Sequence, residues 1–280
     1  MSYRSLLVLL DHHESCTART AYAVKLARKL DCHLVGLAPT DLIDLPAAPM
    51  AAASLTECAA LVWDALREQA ERAAERFRDA CQAAGLPSFE AVIDEAGKAE
   101  SLVRHARCSD LTLLTQADPS APDDAVAQRL VENVVLHSAR PTLVVPCAGH
   151  FDDIGSRVMV AWDDSREAAR AVSDALPLLQ RAAQVEVVTW SESANAEAAT
   201  LRSQLDALHR WLMWHGVSAQ LQVQTCRADV AEAMLSHAAD TNADLIVMGA
   251  YGHARWAERV LGGATRGLLD SMTVPVLMSH

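Results

Sequence analysis

Small residues cluster near the C-terminus of a chain that has only 11 glycines among its 280 residues. They are Gly249, Gly252, Gly262, Gly263, Ala264 and Thr265. Glycines let a backbone come within hydrogen-bond distance of phosphate oxygens. A helix that begins at the second glycine pair would add free N–H groups and the positive end of its dipole. Thr265 adds a hydroxyl donor, so this spacing predicts a loop that binds a phosphate group.

The residues around this loop fit an anionic ligand. Between residues 249 and 266 three arginines and one glutamate give a local charge of +2 (3 − 1), whereas the whole chain carries −12. The loop follows the apolar run ADLIVM, a predicted strand, and precedes RGLLDSM, a predicted helix. Two other predicted strands end beside Asp163 and Trp190. Because ligands of parallel sheets bind at the carboxyl ends of the strands, we expect these residues to lie beside the loop.

The two halves of the chain share one sequence pattern, which indicates an internal repeat. The spacing from Asp110 to Pro141 is the same as the spacing from Asp244 to Pro275. Each aspartate opens an apolar run, SDLTLL or ADLIVM, and each proline lies in a second one, RPTLVV or VPVLM. The matched spacing predicts two copies of one domain.

The first copy is longer than the second. Asp11 corresponds to Asp163, and the stretch from Asp11 to Asp110 is longer than the stretch from Asp163 to Asp244. The additional length falls between Pro39 and Glu57, in a segment that is rich in proline and alanine. That composition predicts a long loop after the second strand, able to line an apolar pocket.

Within each half, short apolar runs alternate with amphipathic segments. This order predicts an α/β fold of two tandem doubly wound domains, each with a five-stranded parallel sheet of Rossmann-like type. We place the domains at residues 1–148 and 155–280, separated by the polar segment CAGHFDDIGS. In the second half, Asp164 and Ser165 are candidate caps of the first helix, and Gly216 is the expected end of the second. Pro177 lies late in the first helix and is a possible kink.

Composition limits the function classes. The chain is 51% hydrophobic with a mean hydropathy of +0.08, so a packed core is expected. An acidic protein repels nucleic acid and anionic membranes, so neither is an expected partner. No apolar run is long enough to span a membrane, and the seven cysteines contain no CxxC pair. These features favour a reduced, cytoplasmic protein.

The pattern G-x2-G-x9-G after a buried strand resembles the nucleotide loop of the universal stress protein family. The opening VAWDDS, the strand ADLIVMGAYGH and the closing TVPVLMSH resemble the same family, and the framework of the first half does so too. The chain therefore resembles a tandem universal stress protein. The resemblance implies a fold like that of adenine nucleotide alpha hydrolases, ATP or AMP as ligand with Mg²⁺ as an option beside ATP, and dimerisation through the last strand.

The resemblance assigns roles to individual residues of the second half. Asp163 matches the acidic residue on the adenosine side, and Trp190 falls near the adenine-contacting position, where valine is usual. Gly249, Gly252 and Gly262 match glycines that approach ribose and phosphates. Gly263, Ala264 and Thr265 follow at the phosphate end.

Two positions depart from the family pattern. Gly263 stands where serine or threonine is usual, which removes a phosphate hydroxyl. Asp164 stands where glycine is usual, which adds a negative charge. These changes weaken the expectation of a triphosphate and leave a monophosphate or another ligand open.

The first half lacks the loop. When the halves are aligned through Asp110 and Asp244, the loop positions fall on Thr115, Asp118, Gln128, Arg129 and Val131. None of them is glycine, so we expect one nucleotide site per chain, in the C-terminal domain.

Three functions remain open from the sequence. The first is a stress-response sensor or regulatory module that binds an adenine nucleotide. The second is a scaffold or small-molecule binder that keeps the fold without the nucleotide. The third, an ATP-using enzyme, ranks last, because no catalytic motif or base is evident and at most slow ATP hydrolysis is expected. His12, His13 and Cys16 are too few for a metal site, so no metal is expected from the protein itself.

The ends of the two halves also bear on assembly. If TLVVP of the first half pairs with VPVLM of the second, the chain forms a pseudo-dimer within itself. Two chains could then associate further, and the sequence leaves monomer and homodimer open.

Overall fold

The structure is a computed structural model that describes residues 2–41, 53–121, 124–149, 151, 154–191, 198–226, 229–252 and 263–280. Contacts divide the chain into Tyr3–Leu114 and Thr115–His280, here called the N-terminal and C-terminal units. Both units have the α/β fold that the alternating pattern predicts.

The N-terminal unit is built from parallel strands in the order β3-β2-β1-β4. Its elements are β1 (Ser5–Leu9), α1 (Ser15–Leu30), β2 (His33–Pro39), α2 (Ala53–Ala83), β3 (Phe89–Asp94), α3 (Lys98–Ala106) and β4 (Leu111–Thr115). The central strands β1 and β4 are buried along most of their length, as expected for strands covered on both faces.

The C-terminal unit has strands in the order β5-β10-β9-β6-β7-β8. Its elements are α4 (Asp124–His137), β5 (Thr142–Val145), β6 (Arg157–Ala161), α5 (Arg166–Leu179), β7 (Gln184–Ser191), α6 (Ala198–Trp214), β8 (Gln220–Thr225), α7 (Val230–Asp240), β9 (Leu245–Gly249), α8 (Gly263–Ser271) and β10 (Val276–Ser279). All five strands that we predicted for the second half are present and pair in parallel. The exception to parallel pairing in this unit is β5, which lies antiparallel to β10 with Leu143 opposite Leu277.

The unit boundary differs from the sequence-based domain limits. Contacts divide the chain after Leu114, whereas the repeats predict domains at 1–148 and 155–280. The difference arises because β5, the last strand of the first repeat, pairs with β10, the last strand of the second, and α4 packs on both. The limits of the two repeats therefore stay a prediction.

The repeated aspartate has the same structural task in both units. The carboxylate of Asp110 accepts hydrogen bonds from the backbone N–H groups of Arg4 and Ser5, at 2.7 and 3.0 Å. In the C-terminal unit, Asp244 accepts from Ser156 and Arg157, each at 3.0 Å. Each aspartate thus ties the start of one strand to the start of its neighbour, which explains its place in the repeat without any ligand.

Helix ends in the C-terminal unit follow their sequence signals. Ser165 caps α5, because its Oγ accepts a hydrogen bond from the N–H of Ala168 at 3.1 Å. Gly216 follows α6 with φ +75°, and the N–H of Val217 returns to the carbonyl of Leu212 at 2.9 Å. Pro177 lies inside α5, which continues to Leu179.

The prediction of a loop from Pro39 to Glu57 was wrong in its last part. Helix α2 begins at Ala53 and has 31 residues, against 17 for α6, its counterpart in the second repeat. Most of the additional length of the first half is therefore helix, while residues 42–52 lie outside the described residues. Three large apolar side chains of this helix are exposed, those of Leu61, Val62 and Trp63.

The carboxyl end of β3 carries a carboxylate held by α3. Ser101 Oγ donates to Asp94 Oδ2 at 2.5 Å, Arg104 donates to the same oxygen, and His105 Nε2 lies 3.3 Å away. Burial by itself would raise the pKa of Asp94, but the hydrogen bonds and the positive charges together lower it below its ordinary value of 3.8.

We expect the variant Asp94→Asn to be less stable than the wild type at neutral pH. A carboxylate whose pKa is lowered by folding stabilises the fold fully above its unfolded pKa, and this stabilisation is lost as the pH falls through the folded value. The difference in the free energy of unfolding should therefore shrink as the pH falls below about 4. Urea unfolding of both proteins across this range is the measurement, and a difference that stays constant with pH would contradict the prediction.

Candidate functional site

Neighbouring strands bring the predicted site residues to one edge of the C-terminal unit. Strands β6 and β9 pair in register with Ala161 opposite Met248. Asp163 therefore follows β6 beside Gly249, which is the last residue of β9. Trp190 lies near the carboxyl end of β7, which pairs with β6 on the other side.

The phosphate end of the predicted loop is described only in part. Gly252 is described, Gly262 lies outside the described residues, and Gly263 and Ala264 begin α8. Thr265, in the first turn of α8, is buried, and its Oγ1 accepts a hydrogen bond from the N–H of Tyr251 at 3.3 Å. The hydroxyl that we predicted as a phosphate donor therefore joins the start of the loop to the helix.

Asp163 is half-buried and makes a tight local turn. Its Oδ1 accepts hydrogen bonds from the N–H and the Oγ of Ser165, at 3.1 and 2.6 Å. Asp164, between them, has φ +62°, a left-handed conformation that glycine adopts without strain. The structure thus explains in backbone terms why a glycine suits this position. The Asp164 carboxylate accepts a hydrogen bond from Gln204 Nε2 at 2.8 Å.

Glu167 is the site residue that sequence analysis missed. It lies in the first turn of α5 and is only 4% exposed. A Cβ placed on Gly252 would lie 2.8 Å from Glu167 Oε2, so this carboxylate is packed against the predicted anion loop. The available signal was a carboxylate one helical turn before Ala171, on the face of the helix that is otherwise apolar and buried.

Glu167 remains a charged group in this buried position. Burial alone would raise its pKa, but the Arg166 guanidinium, the backbone N–H of Glu167 and the nearby charge of His280 lower it overall. His280 lies at this edge because its Nδ1 is 2.9 Å from the carbonyl oxygen of Ala250. The predicted phosphate loop therefore faces a carboxylate that is ionised at neutral pH.

Gly249 is required by packing, whatever the ligand. A Cβ on this residue would lie 2.5 Å from the backbone N of Ala168 and 2.6 Å from the backbone C of Glu167. Backbone atoms cannot yield as a flexible side chain can, so β9 and α5 come this close only because the residue is glycine.

We expect Gly249→Ala to lower the free energy of unfolding by about 1 to 3 kcal/mol, the usual cost of overpacking. Denaturant unfolding measures this. Gly267→Ala in α8 is the matched control, since its added Cβ would meet Ala231 Cβ at an ordinary 3.5 Å and alanine favours helix. Equal stability of Gly249→Ala and the wild type would contradict the packing argument.

Tyr251, in the loop after β9, lies near charged residues of helices α4 and α8. Its φ is +54°, and the pKa of its phenol is raised to about 12, first by burial and then by the charge of Glu132. Arg266 opposes this rise and Asp270 adds to it. The phenol is therefore a neutral group at physiological pH.

Trp190 is a packing residue in this structure. Its side chain is 4% exposed and meets the ring of His237 edge to face, with centroids 6.4 Å apart. His237 Nε2 in turn lies 3.0 Å from Glu186 Oε2, and both side chains are largely buried. Trp190 thus lies at the predicted strand end, but its ring belongs to a buried Glu–His–Trp cluster.

In the N-terminal unit, the aspartate that corresponds to Asp163 is Asp11, and an arginine side chain lies against it. Asp11 forms an ion pair with Arg19 at 2.9 Å, and the side chains are only 7% and 4% exposed. Arg19 Nε also donates to the carbonyl of Leu9 at 2.9 Å. When Asp11 is aligned with Asp163, the position of Arg19 corresponds to Ala171, which has no such group. A buried guanidinium therefore neutralises this aspartate in the first repeat only.

Known proteins support the fold and the family of the second repeat. Residues 156–280 match the sequence model of the Universal stress protein family. A comparison with curated protein sequences gives no match.

Two solved structures extend the likeness to nearly the whole chain. A universal stress protein from Archaeoglobus fulgidus DSM 4304 is 16% identical with a TM-score of 0.74, and the match covers 99% of this chain and 96% of that chain. A protein from Pseudomonas aeruginosa UCBPP-PA14 is 17% identical with a TM-score of 0.62, covering 99% and 93%. At these identities the likeness shows the fold, which is α/β with mostly parallel strands.

Within the described ranges, no group of three or more His, Cys, Asp or Glu side chains could hold a metal ion. In the same part of the chain, no helix combines the length and the apolar character needed to cross a bilayer.

Proposed function

We propose that the C-terminal domain, residues 155–280, is a stress-response sensor or regulatory module that binds one adenine nucleotide, AMP in preference to ATP. The observation that carries the proposal is the junction of β6 and β9, where Asp163 comes beside Gly249. Thr265 and the start of α8 close the other end of the loop. Adenosine would lie on the Asp163 side and the phosphate against Gly249, Gly252 and the first turn of α8.

The preference for a monophosphate follows from charge. Glu167 lies against Gly252, Asp163 follows β6 beside Gly249, and Asp164 adds a further negative charge next to it. Each further phosphate adds to the repulsion. Mg²⁺ would enter only with a polyphosphate, as part of the ligand. The proposal concerns binding and regulation, and includes no turnover.

The first repeat would serve as a closed partner domain. Its counterpart of Asp163 is already neutralised by Arg19, so one site per chain is expected. The antiparallel pairing of β5 with β10 supports an intramolecular pseudo-dimer, in which the last strands of the two repeats pair within one chain. We further propose that the protein acts in the cytoplasm, where adenine nucleotides and reduced cysteines both occur.

Calorimetric titration of the ligand-stripped protein with AMP, ADP and ATP tests the proposal. The expected result is one saturable site per chain, with AMP bound most tightly. The variant Thr265→Val should weaken AMP by removing a hydroxyl at the phosphate end, while Thr273→Val, an exposed threonine after α8, should not.

A second candidate is a tandem scaffold or small-molecule binder without nucleotide. The contact of the ionised Glu167 with Gly252 specifically favours it, because that carboxylate stands where phosphate oxygens would come. If wild-type protein binds none of the three nucleotides, this candidate replaces the first.

A further inference from the structure

A cavity of about 270 Å³ lies within the C-terminal unit, between the segment 116–119 and helices α4 and α8. Residues of the β6–β9 junction do not line it. Its lining includes Gln128 and Val131, two positions of the first repeat that align with the glycine-rich loop of the second. This volume is slightly below the roughly 300 to 1,000 Å³ that is typical of pockets for drug-sized ligands. A ligand of that size is a small metabolite rather than a nucleotide.

Part of the lining of this cavity is apolar and buried. Val131 and Leu269 are 4% and 5% exposed, and Ala117 and Pro119 line the same space. Gln116 is also buried, but its amide is already used: Nε2 donates to the carbonyl of Leu269 at 2.8 Å, and Oε1 accepts from the N–H of Cys147 at 3.2 Å. The interior therefore suits an aliphatic group.

The lining of the cavity also carries charges of both signs. Arg266 on α8 and Asp124 on α4 line it together with Asp270. Among the residues that the structure describes, Arg266 donates one long hydrogen bond, 3.5 Å to Gln128 Oε1, and the carboxylate of Asp124 accepts none. Asp270 already accepts from Gln128 Nε2. One guanidinium and one carboxylate of the lining are thus left with hydrogen-bonding capacity.

We propose that this cavity binds a free aliphatic amino acid of about the size of leucine. Its carboxylate pairs with Arg266, because a guanidinium recognises carboxylates with two parallel hydrogen bonds. Its ammonium pairs with Asp124, and its side chain fills the space against Val131 and Leu269. The inference needs no nucleotide in the chain and stands apart from the function proposed above.

Calorimetric titration of the full-length protein with L-leucine, N-acetyl-L-leucine and L-leucine methyl ester tests this site. L-Leucine should bind saturably, once per chain, and each blocked analogue about tenfold more weakly, since each loses one charge-assisted contact. Absence of saturable L-leucine binding at millimolar concentration would overturn the proposal. Equal binding of all three compounds would overturn it as well.

Two variants assign the contacts. Arg266→Gln should weaken L-leucine about tenfold without affecting the methyl ester, which has no carboxylate. Asp124→Asn should weaken L-leucine without affecting N-acetyl-L-leucine, which has no ammonium. Arg129→Gln, an exposed arginine of the same helix α4, is the matched control and should change nothing. If either site variant weakens all compounds equally, the assigned contacts are wrong.

Discussion

The variant Glu167→Gln is expected to bind AMP at least tenfold more tightly than the wild-type protein. Glu167 Oε2 lies against Gly252, where the proposed site places phosphate oxygens. Two unit charges about 4 Å apart repel by about 4 kcal/mol at an effective dielectric constant of about 20, and a tenfold change in affinity requires only about 1.4 kcal/mol. The change to glutamine keeps the shape and removes the charge. It also releases Arg166, which now pairs with this carboxylate.

The gain should depend on the charge of the ligand. We expect it to be larger for ATP than for AMP and absent for adenosine, which has no phosphate. Calorimetric titration with the three ligands measures this order. Glu232→Gln is the matched control, because Glu232 is an exposed glutamate in the first turn of α7 and shares the helix-end environment.

The outcome also separates the two candidate functions. Tighter binding with the expected order would show that the loop is a phosphate site whose affinity is held down by Glu167. If the variant binds AMP no better than the wild type, Glu167 does not face the phosphate, and the nucleotide proposal loses its geometric basis.

The variant His237→Leu is expected to lower the free energy of unfolding by about 1 to 3 kcal/mol, the cost of leaving a buried polar group without its hydrogen-bond partner. His237 Nε2 is 3.0 Å from Glu186 Oε2, and the two side chains are 13% and 6% exposed. Removing the imidazole leaves the Glu186 carboxylate buried without this partner, and it also removes the ring that packs edge-on to Trp190. Urea unfolding followed by tryptophan fluorescence is the measurement.

A double variant shows whether the pair itself is responsible. Glu186→Leu combined with His237→Leu should recover most of the lost stability, since replacing both members of a buried pair by apolar groups is often neutral. A double variant that is as unstable as the sum of the two single variants would show that the side chains act independently. Loss of shape around Trp190, rather than an unpaired carboxylate, would then explain the effect.

Local signals predicted much of the fold. The five strands of the second repeat, the cap at Ser165 and the glycine after α6 all depend on residues close together in the chain. The repeated aspartates, Asp110 and Asp244, were also visible in the sequence, but their cause is not local. Each one fastens the beginning of one strand to a neighbouring strand that is far away in the chain.

Other features depended on contacts between residues far apart. The alanine-rich segment from Pro39 to Glu57 was predicted to be a loop, but its last residues, from Ala53 onward, belong to helix α2. Trp211 and Trp214 lie three residues apart, a spacing that is ordinary for one buried face of a helix, yet Trp214, the last residue of α6, is 79% exposed.

The sequence by itself determined the α/β class, the strands of the second repeat and the strand-end places of Asp163, Gly249 and Trp190, because patterns of polarity and glycine act over a few residues. Only the tertiary structure decided what surrounds them. Arg19 forms an ion pair with Asp11 where the first helix of the unit packs on the strand end. Glu167 faces Gly252, because α5 packs against the end of β9, which is far away in the chain. The tertiary structure decides whether a positive or a negative side chain lies against a loop that can hold an anion.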